Sequence, residues 1–95
     1  MNKIAEAKFV SELVLERSIT PNVERLGSHE SIMTLNKVED NYYCIEWEVP
    51  ALNMYVEIGV WTEDKKVVDY DGVFELCKEA IKLLNDNGFD TKEVE

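Results

Sequence analysis

Residues 42–61, with the sequence YYCIEWEVPALNMYVEIGVW, decide the fold of this chain. Apolar side chains occupy every second position on both sides of a short interruption: Tyr43, Ile45, Trp47 and Val49 before it, and Met54, Val56, Ile58 and Val60 after it. This period-two alternation predicts two strands that each bury one face. The interruption at residues 50–53 has the length of a four-residue hairpin loop. The resulting register pairs three sets of apolar residues: Val49 with Met54, Trp47 with Val56, and Ile45 with Ile58.

The runs on either side of this hairpin predict further strands. Residues 31–38 alternate in the same way and can join the hairpin through a turn at residues 39–41. That turn places two pairs of apolar residues opposite each other: Leu35 with Ile45, and Met33 with Trp47. Residues 67–70 form a fourth run, in which either Val67 or Val68 points inward. The expected sheet is an antiparallel meander of three to four strands.

A helical pattern lies near the C-terminus. Eight apolar side chains fall within one half of a helical wheel: Val73, Phe74, Leu76, Cys77, Ala80, Ile81, Leu83 and Leu84. Asp71 is a suitable N-cap for this helix, and Gly88 suits the left-handed position that closes it. Phe89 is then placed to contact Leu84, as in a Schellman ending. The pattern predicts an amphipathic helix packed on one face of the sheet.

Residues 3–16 fit two structures. Their good helix formers favour a helix, whereas Leu13, Leu15 and Ile19 alternate as a strand would. We predict a helix here, which gives the element order α-β-β-β-β-α. The expected fold class is α+β, with residues 1–95 forming a single small domain in which the meander carries the C-terminal helix on one face.

The composition limits the classes of partner. The 95 residues contain 20 Asp and Glu against 10 Lys and Arg, a formal net charge of -10 at pH 7. Residues 38–64 hold seven of the acids and no Lys, Arg or His. Direct binding to nucleic acid or to an anionic membrane depends on clustered basic residues, so neither is expected. An electrostatic partner of this chain should be a basic protein.

The cellular setting is predicted from the cysteines and the apolar runs. Charged residues interrupt the N-terminal stretch, and nowhere do about 18 apolar residues follow one another. Cys44 and Cys77 lie 33 positions apart without a nearby His or a C-x-x-C pattern. We therefore expect a cytoplasmic protein with two reduced thiols, no cofactor and no metal.

The hairpin register also predicts the composition of the second face of the sheet, which we call the outer face. Four pairs lie on it: Tyr42 with Trp61, Cys44 with Gly59, Glu46 with Glu57, and Glu48 with Tyr55. Carboxylates directly opposite each other are unfavourable by about 0.2–1 kcal/mol. The candidate partner-binding residues are the acids and aromatics of this face: Tyr42, Glu46, Glu48, Tyr55, Glu57 and Trp61.

Three interpretations of the outer face remain open. It is a solvated surface whose aromatics shield the sheet. It is a docking surface whose aromatics anchor a partner while its carboxylates meet Lys or Arg. Alternatively, the N-terminal helix lies over the outer face and neutralises its carboxylates with Lys3, Lys8 or Arg17.

The remaining residue patterns argue against an enzyme. An EF-hand frame on Asp69, Asp71 and Gly72 puts Val67 and Lys78 at its two anchor positions, so the calcium pattern fails. His29 is expected in a surface loop, where it has no nucleophile and acid in a triad arrangement. The isolated glycines form no phosphate loop.

Two functions from different classes follow from these observations. The first is a small acidic protein-binding or regulatory module, in its sharpest form an inhibitor that occupies the basic, nucleic-acid-binding surface of another protein. The alternative is a non-catalytic structural or assembly protein that forms homo-oligomers through its β-sheet.

Overall fold

The computed structural model describes residues 2–16, 23–72 and 76–95. Within these ranges the chain forms five strands, a short 3-10 turn at Pro50–Leu52 and one helix. The strands and the helix are β1 (Asn2–Glu16), β2 (Val23–Glu39), β3 (Tyr42–Val49), β4 (Met54–Glu63), β5 (Lys66–Gly72) and α1 (Lys78–Asp86). The strands form one antiparallel sheet in the order β1-β2-β3-β4-β5. The α+β class is thus supported, with a larger sheet than predicted.

The central hairpin has the predicted register. Ile45 lies opposite Ile58 and Val49 opposite Met54. The loop closes at Asn53, whose φ of 51° is left-handed and whose N–H donates to the Pro50 carbonyl at 3.1 Å. On the other side of β3, Leu35 lies opposite Ile45, as the sequence also predicts.

The position of Val67 and Val68 depends on an irregularity between β4 and β5. The pairing shifts between Trp61 and Thr62, so that Trp61 faces Asp69 while Thr62 faces Val67. One residue of β5 is thereby left without a direct partner, as in a β-bulge. Val67 is fully buried and Val68 is 39% exposed, which settles the alternative that the sequence left open.

The predicted N-terminal helix is wrong. Residues 2–16 form β1, which pairs along its length with β2. Three of its apolar residues pack against the core, namely Ala5, Ala7 and Phe9. Helix propensities differ by less than about 0.7 kcal/mol per residue among ordinary residues, so tertiary pairing readily outweighs them. The pairing with β2 also satisfies the backbone of a segment that has no continuous apolar helical face.

The C-terminal helix is shorter than predicted at its start. It begins at Lys78, with Cys77 at the N-cap, and Asp71 lies inside β5 instead of capping the helix. Two predicted helical positions, Val73 and Phe74, lie outside the described residues. Within the described ranges, no helix is long and apolar enough to cross a membrane.

The end of α1 is the predicted Schellman motif. Gly88 has a φ of 87°, and its N–H donates to the Asn85 carbonyl at 3.1 Å. The Phe89 N–H donates to the Leu84 carbonyl at 3.0 Å. The segment that follows then pairs with the sheet at Asp90, whose N–H donates to the carbonyl of Lys65, just before β5, and whose carbonyl accepts the N–H of Val67 in β5.

The core lies between α1 and one face of the sheet, which we call the inner face. Strands β2 to β5 and the C-terminal segment supply its buried side chains: Met33, Leu35, Tyr43, Ile45, Ile58, Val60, Val67, Leu76, Ala80, Leu83, Leu84 and Phe89. Because α1 covers the inner face, the outer face defined above remains on the opposite side of the sheet.

The two valines of β5 provide a matched test of this arrangement. We expect Val67→Ala to lower the free energy of unfolding by about 2 kcal/mol, because it removes buried methyl groups and leaves a cavity. The control, Val68→Ala, should change it by less than about 0.5 kcal/mol. Urea unfolding of both variants measures the difference, and equal losses would contradict the register between β4 and β5.

Candidate functional site

The candidate site lies on strands β3 and β4, away from α1. The pairs Tyr42–Trp61, Glu46–Glu57 and Glu48–Tyr55 face each other in the order that the sequence predicts. Tyr55 is 54% exposed and Trp61 38% exposed. Glu48 and Glu57 are also exposed, whereas Glu46 is half-buried. The outer face therefore presents carboxylates and aromatic rings to solvent together.

Gly59 allows the two aromatic rings at one end of this face to pack together. The Tyr42 and Trp61 rings have centroids 4.9 Å apart and planes inclined by 33°. A Cβ atom at Gly59 would lie 2.9 Å from the Tyr42 hydroxyl oxygen and 3.2 Å from its Cε1. The absence of a side chain at Gly59 thus lets Tyr42 lie across β4 and reach Trp61.

A hydrogen bond orients one of the carboxylates. The Tyr55 hydroxyl donates to Glu57 Oε1 at 2.6 Å. This bond stabilises the protonated phenol, so it raises the pKa of Tyr55 above the usual range for tyrosine. The second oxygen of Glu57 is left for another partner.

Cys44 lies beside the carboxylate pair. It is only 7% exposed although it is on the outer face. Its Sγ and carboxylate oxygens of Glu46 and Glu57 all lie within 4.8 Å of one another. Burial is the main cause that raises the pKa of the Cys44 thiol, and Glu57 and Glu46 raise it further, while a backbone hydrogen bond with Ile58 lowers it. A thiol whose pKa is raised carries less of the reactive thiolate.

Asn36 is a residue of this region that the sequence analysis missed. It lies directly opposite Cys44 on the neighbouring strand β2, and it is 6% exposed. Its Nδ2 is buried and donates to no acceptor among the residues that the structure describes. The sequence did contain a signal for the position of Asn36, because the predicted pairing of Leu35 with Ile45 also places Asn36 beside Cys44.

Two acids of β5 extend the outer face. Asp69 lies opposite Trp61 and Asp71 opposite Gly59. Both are exposed. The predicted role of Asp71 as a helix cap is wrong, because β5 runs through that position. The sequence could not show this without the extent and register of β5.

The structure also tests two other expectations from the sequence: an N-terminal helix over the outer face, and a loop position for His29. Residues 2–16 lie in the sheet as β1, so the predicted N-terminal helix does not cover the outer face. Lys3 and Lys8 lie at the β1 margin of the sheet, and Arg17 is outside the described residues. His29 lies in β2 opposite Ser11, so its predicted position in a loop is wrong.

A double-mutant cycle tests the packing of Tyr42 over Gly59. In a Tyr42→Ala background, Gly59→Ala should stabilise the protein by about 0.5–1 kcal/mol, because Ala restricts the unfolded chain more than Gly does. In the wild-type background the added methyl group meets the Tyr42 ring, so this gain should be lost. Chemical unfolding of the four proteins measures the coupling, and simple additivity would contradict the close approach.

The thiol of Cys44 provides a second test, carried out with Cys77→Ser so that one thiol remains. At a fixed pH below the thiol pKa, we expect Glu57→Gln and Glu46→Gln to speed alkylation of Cys44 by iodoacetamide. Removing a neighbouring negative charge lowers the pKa and increases the reactive thiolate. Glu48→Gln is the control. Mass spectrometry follows the reaction, and equal rates in all four proteins would contradict the electrostatic contribution.

No family model, no curated protein and no solved structure matches this chain. The function is therefore inferred from the geometry and charge of the outer face.

Proposed function

We propose that the protein is a non-enzymatic binding module that docks a basic surface of another protein on its outer face. The observation that carries the proposal is the placement of Glu46 opposite Glu57 on a face that also exposes Tyr55 and Trp61. Carboxylates that face each other lower the stability of the folded sheet. Their presence here therefore favours a role in binding and not in stabilising the fold.

The ion pairs of the protein support this interpretation. In the part of the chain that the structure describes, four ion pairs are found, and none of them uses Glu46, Glu48 or Glu57. They join Lys3 to Glu6, Lys37 to Asp40, Lys66 to Glu93, and Lys82 to Asp86. These Lys residues therefore do not pair with Glu46, Glu48 or Glu57, and a partner's Lys or Arg would compensate the charge of those three carboxylates.

The aromatics supply the apolar part of such an interface. The Tyr42–Trp61 pair lies at one end of the face, and Tyr55 lies near the other. Buried aromatic anchors carry much of the binding energy in protein interfaces, while complementary charge speeds the encounter. In its most specific form, the module is an inhibitor whose carboxylates occupy the place of phosphates on a nucleic-acid-binding protein.

A second candidate function is assembly through a sheet edge. Within the described residues, β1 is an outermost strand with 15 residues, and no strand pairs with its second edge. Val10 on this strand is largely exposed. Long uncovered edges are templates for strand pairing, so light scattering over a range of concentrations distinguishes assembly from a monomeric module.

The docking proposal is tested by replacing the charges of the outer face. The wild-type protein, immobilised at low salt in the presence of a chelator, should capture a basic protein from its native host and release it as salt rises. Binding of the purified partner should weaken about tenfold or more in the variant E46Q/E48Q/E57Q, since each charge lost at an interface costs about 0.2–1 kcal/mol or more.

The matched control is E79Q/D86N/E93Q, which removes the same number of charges away from the outer face. Its affinity should stay within about twofold of the wild type. If both triple variants bind the partner equally well, net charge alone explains the interaction and the outer face is not the docking surface.

A further inference from the structure

We propose that Cys44, Glu46 and Glu57 form a binding site for a zinc ion at the centre of the outer face. Their donor atoms, one sulfur and two carboxylate oxygens, lie within 4.8 Å of one another. The site goes beyond protein docking, and it requires no partner protein.

The strand register brings the three side chains together. Cys44 and Glu46 are two residues apart on β3 and therefore share a face, while Glu57 of β4 lies directly opposite Glu46. Cys44 is buried, Glu46 half-buried and Glu57 exposed. The sulfur thus lies at the base of the site and the carboxylates lie toward solvent, where water can supply a fourth ligand.

Asn36 is an independent indication of a ligand. Its side chain is more than nine-tenths buried opposite Cys44, yet within the described part of the chain its Nδ2 donates to no acceptor. A buried donor without an acceptor costs about 1–3 kcal/mol. A neutral thiol is a weak acceptor, whereas a metal-bound thiolate carries negative charge and accepts N–H donors strongly. Zinc binding would therefore place a negatively charged sulfur on the residue directly opposite this donor.

The second carboxylate is already oriented. Tyr55 donates to Glu57 Oε1, which leaves Oε2 for the metal. Hydrogen bonds from neighbouring groups commonly hold metal ligands in this way. Asn36 and Tyr55 are therefore positioning residues of the proposed site, and Cys44, Glu46 and Glu57 are its ligands.

The donor set favours zinc over magnesium or calcium. A thiolate is a soft ligand, and zinc accepts sulfur and carboxylate oxygen in tetrahedral sites with three protein ligands and one water. On binding, the Sγ–H bond of Cys44 breaks, its proton goes to solvent, and the sulfur electron pair forms the bond to zinc. The two positive charges also offset the repulsion between Glu46 and Glu57.

The test uses the purified full-length protein after treatment with a chelator. Calorimetric titration with zinc chloride should show one ion per chain, and titration with cobalt(II) should show a thiolate-to-cobalt charge-transfer band. Cys44→Ser should abolish that band and weaken zinc binding by about tenfold or more, while Cys77→Ser should retain both. E46Q/E57Q should weaken zinc binding similarly, and the control Glu48→Gln should not.

Asn36→Ala tests the positioning role separately. It should weaken zinc binding by about 10-fold to 100-fold and shift the cobalt band, because the thiolate loses a hydrogen bond. Thermal melting of the metal-free variants shows whether each is folded, and Asn36→Ser, which retains a donor, should recover part of the affinity.

Zinc binding that is equal in the wild type and in folded Cys44→Ser, or a cobalt band that disappears in Cys77→Ser instead, would overturn the proposed site. Because the docking assay above contains a chelator and this titration contains no partner, each proposal can fail without affecting the other.

Discussion

The antiparallel pairing of β3 with β4 is the constraint on which the rest of the structure depends. Ile45 opposite Ile58 places the centre of both strands in the core, and the same pairing places Glu46 opposite Glu57 on the other side. Burying each isoleucine stabilises the fold by about 1.5–3 kcal/mol, whereas the facing carboxylates cost about 0.2–1 kcal/mol. The inner face therefore determines the register, and the chemistry of the outer face follows from it.

A slip of one residue between these strands would exchange their two faces. The carboxylates would enter the core, where unpaired charge is far more costly than in water. This penalty makes the position of the outer-face residues as definite as that of the core. The same logic holds for β2, where Leu35 in the core places Asn36 next to Cys44.

The two proposals for the outer face share a physical basis. Glu46, Glu48 and Glu57 lie close together on two neighbouring strands, and none of them takes part in the ion pairs found among the described residues. A basic protein would compensate that charge over the whole face, with Tyr42, Tyr55 and Trp61 adding apolar contacts. A zinc ion would compensate it at one point, using the buried thiol beneath the carboxylates. The aromatic side chains favour a basic protein as the ligand, whereas Cys44 and Asn36 favour a zinc ion.

Local pattern was sufficient to predict the central hairpin, its register, the strand before it and the Schellman ending at Gly88, because period-two alternation and turn chemistry act over a few residues. Long-range contacts determined the rest. Residues 2–16 form a strand because β2 offers a pairing edge, which outweighs helix propensity. A pairing irregularity between β4 and β5 buries Val67, exposes Val68 and places Asp69 and Asp71 on the outer face. Whether the Asn36 amide finds an acceptor among the described residues depends on how three strands pack together. A local sequence pattern does not predict such an environment.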